Sequence, residues 1–229
     1  MTARHARLAW ILAASLFASA ATAAPVLVFS TDFNSGIPPQ VTGAGFLESV
    51  GGYPAPFSGD FLRNDTGGAP YGNGPAGTPT VLTLTGLPPH TSVDVRFLLA
   101  VLDSWDSDNG NPSPDWFHVV VDGVNQFTGT WAVQSGSNNT LPDFGMGYFA
   151  ANPGFADKAV DMTNLPSLTS IPHTASTLEV RWYADGAGWQ GSTLGADESW
   201  AIDNVQVYVD EQATPAGRTT WGRLKAAYR

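Results

Sequence analysis

The stretch VDVRFLLAVLDSWDSDNGNPSPDWFHVVVDG, Val93 to Gly123, decides the fold. Val93, Val95, Phe97, Leu99 and Val101 fall at every second position, the period of a strand with one buried face. Phe117, Val119 and Val121 repeat that period, and Asp122-Gly123 closes the run with a tight-turn signal. The two runs are expected to form a strand pair, with Trp116 and His118 on the face opposite Phe117 and Val119. Between them, Asp103, Asp106, Asp108 and Asp115 place four carboxylates within thirteen residues. Like charges that close cost energy unless water or a cation neutralises them.

Outward from this stretch, the same alternation recurs. Thr80 to Thr85 (TVLTLT) and Leu178 to Ala184 (LEVRWYA) read as strands, with Trp182 on the core face beside Val180. Pro25 to Phe33 opens the body, and Asp197 to Val209 (DESWAIDNVQVYV) closes it with Val205, Val207 and Val209 on one face. Asp65 to Pro79 is a Gly/Pro loop with no period, long enough to suit a binding role. No part of the body has helical periodicity. Short strands broken by Gly and Pro, without an internal repeat, predict an all-β, antiparallel two-sheet sandwich of jelly-roll type over 24–209.

The ends differ from the body. Arg4 and Arg7, the apolar run Leu8 to Ala20 and Ala21-Thr22-Ala23 have the layout of a secretory signal peptide over 1–23. The expected location is therefore secreted, extracellular or periplasmic, with no later apolar run of spanning length. Residues 210–229 read as a linker and a basic tail, TTWGRLKAAYR, whose Trp221, Leu224 and Tyr228 mark one face of a short helix. With no cysteine in the chain, stability is left to the core or to a bound metal. From Ala24 to Ala213 there are four basic and all twenty acidic residues, a formal charge of −16. Such a body repels nucleic acid and anionic membranes and suits cations or neutral partners.

DFNSGIPP near the start and ESWAIDNVQVYV at the end resemble phrases of secreted jelly-roll domains of the laminin-G, MAM and carbohydrate-binding-module type. The phrases LDSWD and DWFHVVVDG are similar to paired strands of extracellular bacterial domains of this sort. The resemblance implies a concanavalin-like sandwich in which acids of the first and last strands hold a structural calcium, here Asp32 and Asp203.

Three chemistries compete for the remaining residues. Calcium takes six to eight oxygens, so Asp103, Asp106 and Asp108 in one loop, with Glu198 and Asp203 at the last strand, are the expected ligands. The EF-hand spacing itself fails, because Phe117 stands where the Glu belongs. Sugar rings stack on exposed aromatics, which nominates Trp105, Trp116, Trp189 and Tyr71, against the ordinary role of Trp as core packing. Glycosidic catalysis wants two carboxylates across one bond; Asp197 and Glu198 are adjacent and would face opposite ways on a strand. No G-x-S-x-G elbow or zinc spacing is present. Asn64-Asp65-Thr66 matches a glycosylation acceptor. The sequence thus predicts a secreted, calcium-stabilised, non-catalytic module for a glycan or other surface component. The alternatives are a glycan-active hydrolase or lyase with an unusual acid pair, and an assembly component docking through its basic tail. The acidic phrase DSWDSDNG is expected to meet DESWAIDN in space.

Overall fold

The computed structural model describes residues 24–49, 57, 59–69, 73–108, 114–133, 145–148, 157–191 and 198–211. The expected signal peptide over 1–23, Tyr71 and the basic tail with its expected helix lie outside the described residues. Among the described residues the strands are β1 (Pro25–Thr31), β2 (Val41–Gly43), β3 (Phe46–Ser49), β4 (Asp60–Asn64), β5 (Thr80–Thr85), β6 (His90–Asp103) and β7 (Trp116–Val121). They continue with β8 (Val124–Gly129), β9 (Gly145–Tyr148), β10 (Lys158–Asp161), β11 (Ile171–Pro172), β12 (Thr177–Asp185) and β13 (Glu198–Glu211). The described residues contain one 3-10 turn, Pro166–Leu168, and no helix long and apolar enough to cross a membrane.

Among the described residues all the pairings are antiparallel and fall into two sheets. An eight-stranded sheet runs β3-β4-β13-β6-β10-β9, with β1 on β13 and β11 on β6; a five-stranded sheet runs β2-β5-β12-β7-β8. The two long strands β6 and β13 pair along most of their length, from Glu198 opposite Asp103 to Glu211 opposite His90. A bulge between Asp203 and Gln206 puts Asn204 in the left-handed region (φ 50°), which Asn tolerates better than most residues.

One expectation is corrected. β6 and β7 are not hydrogen-bonded partners: β6 lies between β13 and β10, and β7 between β12 and β8. Alternation fixes which face a strand buries, not which strand lies beside it. Here the two inner faces meet across the sandwich, with the Phe97 and Phe117 rings 6.4 Å apart. β6 ends in one layer and β7 begins in the other, so the chain crosses between layers after Asp103. Trp182, expected in the core, sits there fully buried with its ring edge-on to Phe97 at 5.8 Å.

The core has two parts. Between the sheets lie Val93, Val95, Phe97, Leu99 and Val101 of β6, Phe117, Val119 and Val121 of β7, and Val205, Val207 and Val209 of β13. A second cluster, Phe57, Phe61, Leu98, Ala100, Leu102, Ala159 and Ala201, is made by the other side of the eight-stranded sheet. Leu98 to Leu102 is an unbroken apolar run, as befits a strand buried on both faces.

Candidate functional site

At one end of the sandwich, the two acidic phrases do come together. Glu198 lies opposite Asp103 in the β13–β6 ladder, and Trp105 Nε1 donates to the Ser199 carbonyl at 2.8 Å. Asp103 has a left-handed backbone (φ 69°), and its carboxylate is met by Arg63 Nη2 at 2.8 Å. Arg63 also reaches Glu48 at 2.9 Å and Ser199 Oγ at 2.9 Å. The Asp103 amide donates to Asp157 Oδ1 at 2.8 Å, and Glu198 Oε2, fully buried, accepts the Gln190 amide at 2.6 Å. A charge-assisted bond to an in-built guanidinium does for Asp103 what a cation was expected to do.

Asp115 anchors the crossover. Its Oδ2 accepts the Asp106 amide at 2.6 Å, and its own amide donates to the Ser107 carbonyl at 3.1 Å. Burial pushes the Asp115 carboxyl up to about 7; the Asp106 amide opposes this and the Asp106 charge adds to it. Asp106 is buried and Asp108 half-buried. Among the described residues, no three His, Cys, Asp or Glu side chains converge as a metal would require.

A different pair of acids does share a site. Asp32 follows β1, Asp203 stands at the β13 bulge, and a pocket of about 290 Å³ lined by Ser30, Thr31, Asp32, Asn204 and Gln206 opens beside them. Asp203 is almost fully buried and takes the Asn204 amide on Oδ1 at 2.7 Å. Burial pushes its carboxyl up to about 7 against that amide, and the charge of Asp32 raises it further. Hydrogen bonds from Asn34 hold Asp32 below the usual carboxylate range. Asn34 Oδ1 also accepts the Asp60 amide at 2.9 Å, and Gly59 (φ 80°) is needed there because a Cβ would run into that oxygen. A buried carboxylate raised by its charged neighbour, amid hydroxyl and amide oxygens, is a donor set that fits a hard cation.

The aromatic expectations divide sharply. Trp105 and Trp189, expected to meet a ligand, are corrected to core residues: both are fully buried, with rings 5.3 Å apart, and Trp189 Nε1 donates to the Thr66 carbonyl at 3.0 Å. Trp131 and Trp200 join them around Phe117. Burying such a ring is worth about 2–3 kcal/mol, more than an exposed loop position returns. Asn64, in the glycosylation match, is also buried, its Nδ2 donating to the Thr78 carbonyl at 3.0 Å and Thr80 Oγ1 at 3.1 Å.

Trp116 alone of the expected aromatics within the described residues lies on an outer face. It is half-buried on β7, with Asp185 of β12 as its cross-strand partner. One step along, His118 stacks on Tyr183, their centroids 4.7 Å apart and planes 18° from parallel. His118 Nε2 lies 2.9 Å from Asp185 Oδ1, and Nδ1 2.9 Å from Thr128 Oγ1 of β8. Burial, then the Asp185 charge, raises the Tyr183 hydroxyl above its ordinary range. Exposed Arg181 follows at the next outward position, joined to Glu179 at 2.7 Å. The outer face of the five-stranded sheet therefore carries flat rings and polar atoms in one patch. Alternation from Trp182 already placed Tyr183 outward; Asp185, read as the start of a loop, and the neighbourhood of both with Trp116 needed the β12–β7 register.

No family model and no curated protein matches the chain. Among solved structures, it is similar to the CBM22-1 xylan-binding domain from Paenibacillus barcinonensis Xyn10C, with 13% identity and a TM-score of 0.38 over 84% of this chain and 100% of that one. The CBM22-2 xylan-binding domain of the same protein aligns with 13% identity and a TM-score of 0.32, over 79% of this chain and 98% of that one. Neither is a laminin-G or MAM domain.

Proposed function

We propose that this chain is a secreted, non-catalytic module of jelly-roll connectivity that binds a neutral carbohydrate on the outer face of its five-stranded sheet. The observation that carries the reading is the patch of Trp116, His118, Tyr183 and Asp185. A ring face there offers a stacking surface to the CH side of a pyranose, while Asp185, Thr128 and Arg181 supply acceptors and donors for hydroxyls. The formal −16 of the body suits a neutral partner better than an anionic one. Asp106 and Asp115 make a poor catalytic pair, since both are buried and Asp115 has no exposed surface to offer a substrate.

Calcium has a separate, structural role in this reading. Asp32 and Asp203 would hold it, and it would relieve the repulsion between their carboxylates and tie the first strand to the last. Isothermal titration of the full chain against neutral oligosaccharides, in calcium, tests the binding claim. Trp116→Ala is expected to weaken binding about thirtyfold, the effect of removing a central aromatic anchor. A panel without a binder ends the reading.

A further inference from the structure

Away from both sites, His90 and His173 form a buried pair. His90 opens β6, and His173 follows β11 on the way to β12. His90 Nε2 lies 2.5 Å from His173 Nδ1, with the rings end to end, their centroids 4.8 Å apart and planes 11° from parallel. The outward nitrogens are also occupied. His90 Nδ1 is 2.6 Å from the Pro88 carbonyl, and His173 Nε2 is 3.0 Å from both the Thr177 carbonyl and Asp122 Oδ2. The exposures are 4% and 8%, so water does not complete the set.

Counting protons decides the state of the pair. A carbonyl or carboxylate oxygen only accepts, so both outward nitrogens must carry hydrogen. The two inward nitrogens then need one proton between them, or two lone pairs face each other at 2.5 Å. Three protons on four nitrogens is one positive charge. Asp122, in the β7–β8 turn, balances it, and its other oxygen accepts the Glu179 amide at 2.9 Å. Further charges on β13 are Asp210, whose carboxylate takes Thr91 and Ser92 beside His90, and Glu211, the cross-strand partner of His90.

We propose that His90 and His173 are a proton-bridged pair that fastens the β6–β11 end of one sheet to the β7–β8 turn of the other, and that the fastening weakens as this bridging proton leaves. A metal between the rings is disfavoured by distance. Zinc at its usual 2.0–2.1 Å from each nitrogen would close the N–Zn–N angle to about 75°, far below tetrahedral.

The sign follows from proton counts. Histidines in an unfolded chain titrate near pH 6.5, so above that the unfolded pair holds about two protons and the folded pair three. While the folded pair keeps its bridge, unfolding then releases a proton, and the unfolding constant rises with pH by up to about tenfold per unit. Below about pH 6.5 the unfolded pair approaches four protons, and the folded state is again disfavoured. The contribution of the pair peaks near pH 6.5.

Urea unfolding of the full chain and of His90→Gln and His173→Gln at pH 5.5, 6.5, 7.5 and 8.5, with chelator, tests this. The expected result is a rise in the wild-type unfolding constant above pH 6.5 that both variants lack. Equal slopes in wild type and variants overturn the proposal. Should the variants not fold, ¹⁵N-histidine NMR of the wild type at pH 6.5 decides: three protonated ring nitrogens and a coupling between His90 Nε2 and His173 Nδ1 support the bridge. Two protonated nitrogens, or a midpoint that rises with zinc and falls with chelator, overturn it.

Discussion

The two sheets bury their inner faces alike and differ in what they show outward. The eight-stranded sheet backs onto Leu98, Ala100, Leu102, Ala159 and Ala201, sealed by Phe57 and Phe61, whose rings meet edge-on at 5.9 Å. The five-stranded sheet presents Trp116, His118, Tyr183, Asp185 and Arg181. One outward face is a second core; the other is a polar, aromatic surface. A sandwich needs only one buried face per sheet, so the sealed face serves stability, and the open one is available for recognition.

The largest way to break that contrast is a truncation on the sealed side. Phe61→Ala should cost about 3–5 kcal/mol in urea unfolding, whereas Arg181→Ala on the open face should stay within about 0.5 kcal/mol. Similar costs for the two would mean that the faces are not different in kind. Trp189→Ala sharpens the point among the tryptophans. It should destabilise by about 3–5 kcal/mol, as a core deletion does, while Trp116→Ala leaves the melting point nearly unmoved.

Calcium comes next in size. At a hundred times its Kd it should add about 2.7 kcal/mol at pH 7.5, read as a rise in melting temperature, and Asp203→Asn should abolish the rise. The Asp203 carboxyl keeps its proton up to about 7, so the same calcium should add less at pH 5. Full stabilisation at pH 5 would place the ion elsewhere.

A pH profile isolates Asp115. Its folded-state value is raised, so its contribution is complete below the unfolded value near 3.9 and is lost as pH rises through about 7. Asp203 is raised to about 7 as well, so Asp115→Asn should reduce, without abolishing, the fall in stability between pH 4 and 7 and leave the slope above 7 unchanged. An undiminished slope in the variant would assign it to Asp203 alone.

Much of the fold was legible. The period-two runs Val93–Val101, Phe117–Val121 and Leu178–Ala184 placed inner and outer residues correctly, including Trp116 and Trp182. Their partners were not legible, because pairing is a long-range choice that local alternation does not encode. Leu98 and Ala100 read as outward residues of a half-buried strand; only the packing of Phe57 and Phe61 reveals a second buried face. The approach of Asp103 to Glu198 was foreseen from two acidic phrases at strand ends, but Arg63, forty residues from Asp103, gave no sign that it would answer the charge. Trp105 and Trp189 misled because they sit in loop-like stretches, and the loops fold inward over the sandwich end.

The most direct test of the open face is titration calorimetry with neutral oligosaccharides on wild type, Trp116→Ala and Tyr183→Ala, each first shown to keep the wild-type melting temperature. Binding by wild type that falls about thirtyfold in Trp116→Ala and measurably in Tyr183→Ala is the expected result. Binding that survives both substitutions at full strength would contradict the assignment and move the ligand off this sheet.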